Sequence, residues 1–327
     1  MATSLLKDWT EEDYATVEHG VLLARHRLHE TGIFDDENLC RIIDTHPEKD
    51  FSINTMGHDA TKFEWREGDR NGLPAEEVLR LVRDGHFWIN CRRMLDHHAD
   101  VRDAVNDIYD ELEAKSPGFV AMEHSANLLI SSPDALVPYH IDIPVNMLWH
   151  IRGRKRVWVY PHFDYRFASQ EVTELVCAGE LSEDVPYNPD WDKYALVYEP
   201  EPGDLLTWPQ LTPHHVQNLD GLCASLSTEH QNPRAIRRMH VHRANHLLRN
   251  RFGMKPSHTD ADGGLAYAKQ FLARVAGKLM HGSEARRKAY TYPITFKLDP
   301  SAPNGYVLID DQSFEEAAPH LTLDKAS

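Results

Sequence analysis

VPYHIDIPVNMLWHIRGRKRVWVYP, residues 137–161, decides how this chain is read. Two β-rich runs flank the sequence RGR around Gly153, as two extended segments flank a turn. His140 and Asp142 stand one residue apart. On a strand both side chains then point to one face, while Ile141 packs on the other. Lys155 follows fifteen residues after His140, on the second extended segment. Seventy-four residues after His140 comes His214, within PGDLLTWPQLTPHHV. That run has the form of a turn, an apolar strand and a Pro-bounded loop that delivers a histidine.

Working outward, residues 119–232 read as short β-rich runs separated by turn signals, which suits an antiparallel sandwich or barrel. Within them, 164–194 is irregular, acidic and carries Pro186 and Pro189, so it reads as an insertion between strands and a candidate lid. Residues 1–118 read as a mainly helical region packed on the barrel. Its expected helices include Glu18–Glu30, DDENLCRIIDTH capped by Asp35 or Asp36, and a helix with Pro74 at N1 and Gly85 at its end. FSINTM (51–56) and HFWIN (86–90) read as strands, and Leu95, Val101, Val105, Ile108 and Leu112 recur at helical spacing. Residues 233–327 read first as a helix, with Ala268, Phe271, Val275 and Leu279 on one face up to about Gly282, then as a hairpin, YPITFKLD with NGYVLID. The fold class expected is mainly β with α additions: a double-stranded β-helix, or jelly-roll, barrel.

The composition is that of a globular protein, with 41% hydrophobic and 26% charged residues among 327. No apolar run approaches the ~20 residues of a membrane span, and the N-terminus lacks the basic-then-apolar order of a secretion signal. Cys40, Cys91, Cys177 and Cys223 are scattered and form no CxxC, which fits reduced thiols in a cytoplasmic protein. A net charge of −16 argues against nucleic acid and anionic membrane as partners. The run from Pro233 to Lys255 is basic and free of acids. It reads either as a helix face pairing with acidic segments or as a patch for an acidic partner.

His140, Asp142 and His214 make a two-His, one-carboxylate set. Such a facial triad leaves coordination positions open and is typical of non-haem Fe(II) oxygenases. In that chemistry 2-oxoglutarate chelates two open positions and O2 takes the third. The far carboxylate of 2-oxoglutarate needs a buried partner, and a lysine inside the barrel provides one; Lys155 is the candidate.

At these residues the chain resembles the JmjC-type, cupin-fold Fe(II)/2-oxoglutarate hydroxylases, and among them the asparaginyl hydroxylases of hypoxia-inducible factor. The resemblance runs from about Ala126 to Thr228 through ANLLI, VPYHID, Asn146, IRGRKRV, PGDLL and the paired histidines. It implies metal ligands His140, Asp142 and His214, a 2-oxoglutarate lysine at Lys155, and cosubstrate-pocket residues Asn146 and Ser227. It also implies hydroxylation of a substrate C–H bond with release of succinate and CO2, and makes the helical tail a candidate dimerisation unit. Two positions depart from the pattern. Val137 stands where a threonine helps hold the 2-oxoglutarate tail, and Ser227 stands where a late-strand asparagine is usual. Both leave the substrate, protein or small molecule, unassigned.

Each residue also has a plainer reading. The histidines could be satisfied core residues, Lys155 an exposed strand lysine beside Arg154 and Arg156, and His215 the ligand in place of His214. His150 is a further pocket candidate by alternation with Asn146. Trp149 and Trp208 read as packing before substrate cage. His97-His98, His26-x-x-His29 and His240-x-His242 lack a matching carboxylate or cysteine set for a second metal. The alternatives in function are another metal-dependent cupin enzyme and a non-enzymatic cupin-like binding or regulatory protein.

Overall fold

Two long strands, Val145–Val159 and His214–Gln231, pair antiparallel over nearly their whole length and form the ribbon from which the barrel is coiled. In this computed structural model, residues 3–59, 61–62, 64–279 and 293–309 are described. In chain order the strands are β1 (Leu6–Lys7), β2 (Leu22–His26), β3 (Phe51–Met56), β4 (Trp65–Asp69), β5 (Phe87–Cys91), β6 (Met122–Ser131), β7 (Leu136–His140), β8 (Val145–Val159), β9 (Leu196–Tyr198), β10 (Asp204–Trp208), β11 (His214–Gln231), β12 (Ile294–Leu298) and β13 (Tyr306–Leu308). The helices are α1 (Glu11–Thr16), α2 (Asp36–Thr45), α3 (Ala75–Asp84), α4 (Met94–His97), α5 (Ala99–Lys115), α6 (Gln170–Ala178), α7 (Pro233–Phe252) and α8 (Gly264–Leu279). All strands join one mostly antiparallel sheet, in the order β1-β2-β10-β8-β11-β6-β5-β3-β4-β12-β13, with β7 beside β11 and β9 beside β8. The architecture is mainly β with helical additions, as the sequence led one to expect.

Gly153 lets the ribbon turn. Its φ of +82° is open to glycine, and a Cβ there would lie 2.6 Å from Cys223 Sγ and 2.7 Å from the Leu222 carbonyl. The register shifts at this point, so the first half of β8 pairs with the far half of β11, and the second half, Lys155–Val159, with His214–Asn218.

Three apolar layers follow. Helices α2, α3 and α5 bury Leu39, Ile42, Val78, Val105 and Ile108 in a large core with Ile53, Ile89, Ile130 and Trp149. Inside the barrel, Leu148, Val157, Val159, Leu206, Trp208 and Val216 pack together. The third core joins the insertion to β7: Tyr139 and Ile141 pack with Tyr160, Phe167, Val176 and Val185.

Several expectations are corrected. Glu18–Glu30 is not a helix. Leu22, Ala24 and His26 are buried on alternate positions of β2, which pairs with β10, and only Leu28–Glu30 makes a 3-10 turn. The apolar spacing fitted both periods, and a neighbouring sheet edge decided it. Strand β4 lies where no element is expected from the sequence. Pro74 is the N-cap of α3, with Ala75 first in the helix. The insertion 164–194 is not irregular throughout: α6 has a Ser169 side-chain cap and a left-handed Gly179 at its end. Ile294–Leu298 and Tyr306–Leu308 do form the terminal hairpin, whereas Gly282 lies outside the described residues. Cys91, Cys177 and Cys223 are buried free thiols and Cys40 is half-buried. No helix among the described residues is long and apolar enough to cross a membrane.

Most of the basic run lies on α7, and three of its arginines, Arg234, Arg237 and Arg249, are answered by carboxylates. Arg249 meets Glu174 at 2.9 Å and Glu171 at 3.0 Å, Arg234 meets Asp262 at 2.8 Å, and His246 meets Glu180 at 3.1 Å. For Arg234, Arg237 and Arg249 these contacts favour the paired helix face.

Candidate metal centre

His140 ends β7 and pairs across the ladder with His214, the first residue of β11. Asp142 lies two residues beyond the strand, so the pair is not wholly on a strand. It is fixed there because its carbonyl accepts from Leu211 N at 3.1 Å and Ile141 N donates to Glu183 O at 3.0 Å. The insertion thus clamps the ligand loop by backbone bonds.

The three side chains converge. His140 Nε2 lies 3.7 Å from Asp142 Oδ1, and His214 Nε2 lies 3.4 Å from Asp142 Oδ2. One ligand atom from each lies within 4.8 Å of the other two. Two ligand atoms held about 2.1 Å from one ion at right angles would be about 3 Å apart, so small side-chain adjustments close the site. Each imidazole is also oriented. His140 Nδ1 sits 2.7 Å from the Pro138 carbonyl and His214 Nδ1 sits 2.9 Å from the Thr212 carbonyl. A carbonyl only accepts, so both rings carry their proton on Nδ1 and present the Nε2 lone pair. Burial, with His140 next to it, holds the His214 pKa well below that of a free imidazole. A proton therefore competes poorly for this nitrogen. Burial also raises the Asp142 carboxyl, which a cation beside it would offset.

Asn146 and Ser227 lie behind Asp142. Asn146 Nδ2 donates to Asp142 Oδ2 at 3.0 Å, and Ser227 Oγ donates to Asn146 Oδ1 at 3.1 Å. Lys155 is buried, 5% exposed, and its Nζ donates to Ser225 Oγ at 2.8 Å. Among the described residues no carboxylate lies within ion-pair distance of it, and burial lowers its pKa. The exposed-lysine reading is thereby excluded. His215 points away from the cluster, stacked on Trp158 with 4.4 Å between ring centroids, its Nδ1 3.2 Å from Tyr160 Oη. The structure brings His214, not His215, to the pair.

Trp208 packs on His214, 4.3 Å between centroids, and Trp149 is fully buried with Nε1 bonded to Thr228. Among the described residues His140, Asp142 and His214 are the one group of three such side chains whose ligand atoms converge.

Sequence reasoning missed Ser225, Glu183, Asp184 and Glu229. Burial, with Asp142 nearby, pushes the Glu183 carboxyl up to about 8 and that of Glu229 up to about 7. Ser225 and Glu229 share the strand face of Ser227 by period-two alternation, a signal present in the sequence. Glu183 and Asp184 reach the site through long-range pairing and had no local signal.

A family model described as the Cupin-like domain matches residues 45–233, more than half of the chain. No curated protein matches the sequence. Among solved structures, Escherichia coli ycfD is similar with a TM-score of 0.48 at 14% identity, covering 91% of this chain and 76% of that one. The structure of YcfD, a ribosomal oxygenase from Escherichia coli, in complex with cobalt and 2-oxoglutarate gives 0.47 at 14% identity, covering 91% and 75%. With more than half of its residues matched by that family model, the barrel-forming chain belongs to the Cupin-like domain family.

Proposed function

We propose that this chain is an Fe(II)- and 2-oxoglutarate-dependent oxygenase that hydroxylates a substrate C–H bond. The observation that carries the reading is the pairing of two features in one barrel: a convergent His140–Asp142–His214 set and a buried Lys155 with no carboxylate partner among the described residues. The donor set suits a divalent first-row ion. Two imidazole nitrogens and one carboxylate oxygen on one side leave the other side open, which is the non-haem Fe(II) pattern. When bound, iron with 2-oxoglutarate and O2 supplies the oxidation, in which 2-oxoglutarate becomes succinate and CO2 and one oxygen atom enters the substrate.

The chain's own residues do the rest. His140, Asp142 and His214 hold the ion, each imidazole aimed by a backbone carbonyl. Asn146, with Ser227 behind it, fixes the carboxylate. Lys155 pairs with the far carboxylate of 2-oxoglutarate. The wall of Leu148, Val157, Val159 and Val216 keeps water from the space between. Glu183, Asp184 and Glu229 place three further carboxyl groups around His140 and Asp142, each raised above the ordinary carboxylate range and so held toward its neutral form. The resemblance to asparaginyl hydroxylases supports the reaction type, and Val137 and Ser227 keep the substrate from being carried over.

Residues 119–232 are the catalytic barrel in this reading, flanked in sequence by 1–118 and 233–327. Leu265, Tyr267 and Phe271 are exposed on α8, which supports the tail as a homodimer contact. The test is metal loading followed by succinate release. Wild-type protein and His215→Ala should bind Fe(II) and convert 2-oxoglutarate slowly to succinate without added substrate, and His214→Ala should do neither. Equal loss in both variants would reject the ligand set.

A further inference from the structure

Lys155 begins a hydrogen-bonded relay whose direction is fixed at each step. Its Nζ donates to Ser225 Oγ at 2.8 Å. The other close partner of Ser225 Oγ is His150 Nδ1, at 3.1 Å. His150 Nε2 lies 2.9 Å from the carbonyl of Gly153, which can only accept. His150 therefore carries its proton on Nε2 and offers a lone pair at Nδ1. Ser225 donates its single hydroxyl proton there, which turns its own lone pairs toward Lys155. The three side chains are sealed from water: Ser225 and His150 are fully buried and Lys155 nearly so. Burial, with the Lys155 charge close by, pushes the His150 pKa down to about 3, so the ring stays neutral and able to accept.

The relay sits at the opposite end of the barrel interior from the metal ligands. Lys155 pairs with Asn218 and Val159 pairs with His214, so Lys155 shares a strand face with His214. Four residues of β8 separate these rungs, roughly 13 Å at about 3.3 Å per residue. The apolar wall of Val157, Val159 and Val216 lies between. Val137, on β7, has no polar side-chain atom to add at this end. The remaining titratable neighbours of Lys155 and His150 are the Cys223 thiol and His26.

Resting on the oxygenase reading, we infer that Ser225 and His150 are positioning residues for the cosubstrate: they tie one ammonium proton of Lys155 and leave the other two for the tail carboxylate of 2-oxoglutarate, in place of the polar partner that Val137 lacks. Without the Ser225 hydroxyl the buried ammonium loses the one acceptor it has among the described residues and is both less well held and less stably charged.

The test compares two 2-oxo acids on Fe(II)-loaded protein without oxygen, by calorimetry. Pyruvate carries the chelating 2-oxo acid but no tail carboxylate. Ser225→Ala, a small change in a packed site, should weaken 2-oxoglutarate roughly tenfold or more, the value of one hydrogen bond to a charged group, and leave pyruvate affinity unchanged. His150→Phe should show the same selective loss, and 15N spectra of the wild type should show His150 as the neutral Nε2–H tautomer. A parallel loss for both acids, or an unchanged affinity for 2-oxoglutarate in Ser225→Ala, would overturn the relay while leaving the oxygenase reading in place. Wild-type protein that bound neither acid would overturn that reading and the relay with it.

Discussion

Asn146 holds Asp142 from behind: its Nδ2 donates at 3.0 Å to Oδ2, the same oxygen that faces His214 Nε2 at 3.4 Å. A buried carboxylate asked to bind an ion must be held in one rotamer, and Asn146 does this while Thr207 and Ser227 hold Asn146. Asn146→Ala should lower divalent metal affinity about 10- to 100-fold, the range for residues that orient a ligand, with little change in melting temperature. Calorimetric titration with Fe(II) or Co(II) measures it, and an unchanged affinity would show that Asp142 needs no such support.

Gly153 makes a second prediction. Alanine there combines a positive φ with a Cβ inside the contact distance of Cys223 and Leu222. Gly153→Ala should cost roughly 2–4 kcal/mol, read as a lower denaturation midpoint. It should also disturb the His150 bond to the Gly153 carbonyl and hence the Lys155 end of the barrel.

His26 sets an acid limit on stability. It is fully buried, with Nε2 3.1 Å from the carbonyls of His150 and Asp204 and Nδ1 accepting from Leu28 N at 3.0 Å. Protonating Nδ1 destroys an accepted bond, and burial already pushes the pKa down to about 4. Between the unfolded value near 6.5 and this folded value the unfolded chain binds the extra proton. Stability is therefore full above pH 6.5 and falls as pH drops toward 4, by roughly 3 kcal/mol from this residue. His26→Gln should flatten the decline in melting temperature between pH 6.5 and 4.5; an identical decline would place its source elsewhere.

Arg249 and Glu174 test whether the basic run is structural. Glu174 is fully buried and receives Arg249 Nε at 2.9 Å. Arg249→Ala leaves a buried carboxylate whose remaining hydrogen-bond partner among the described residues is Gln170, and should cost roughly 2–4 kcal/mol, while Arg249→Met with Glu174→Leu should recover most of it. Chemical denaturation of the three proteins measures the pattern.

Much of the site was legible because it rests on short-range geometry. The two-residue spacing of His140 and Asp142, the glycine turn before Lys155 and the Pro-bounded loop before His214 are local features, and the fold keeps them. The resemblance already picks His214 over His215, and the ladder with β7 gives the physical reason: adjacent residues face opposite sides, and His214 is the one turned toward His140. The strand at Leu22–His26 is hidden in the sequence because its apolar spacing suits two periods, and β10 settles it from far along the chain. Glu183 and Asp184 reach the site by pairing across forty residues of sequence, for which no local pattern exists.

The central claim is that the triad and Lys155 together hold 2-oxoglutarate on iron. Fe(II)-loaded protein titrated with 2-oxoglutarate in the absence of oxygen should develop a visible charge-transfer absorption, and Lys155→Ala should need a far higher concentration to reach it. No such absorption in the wild type, or a titration that Lys155→Ala leaves unmoved, would contradict the account.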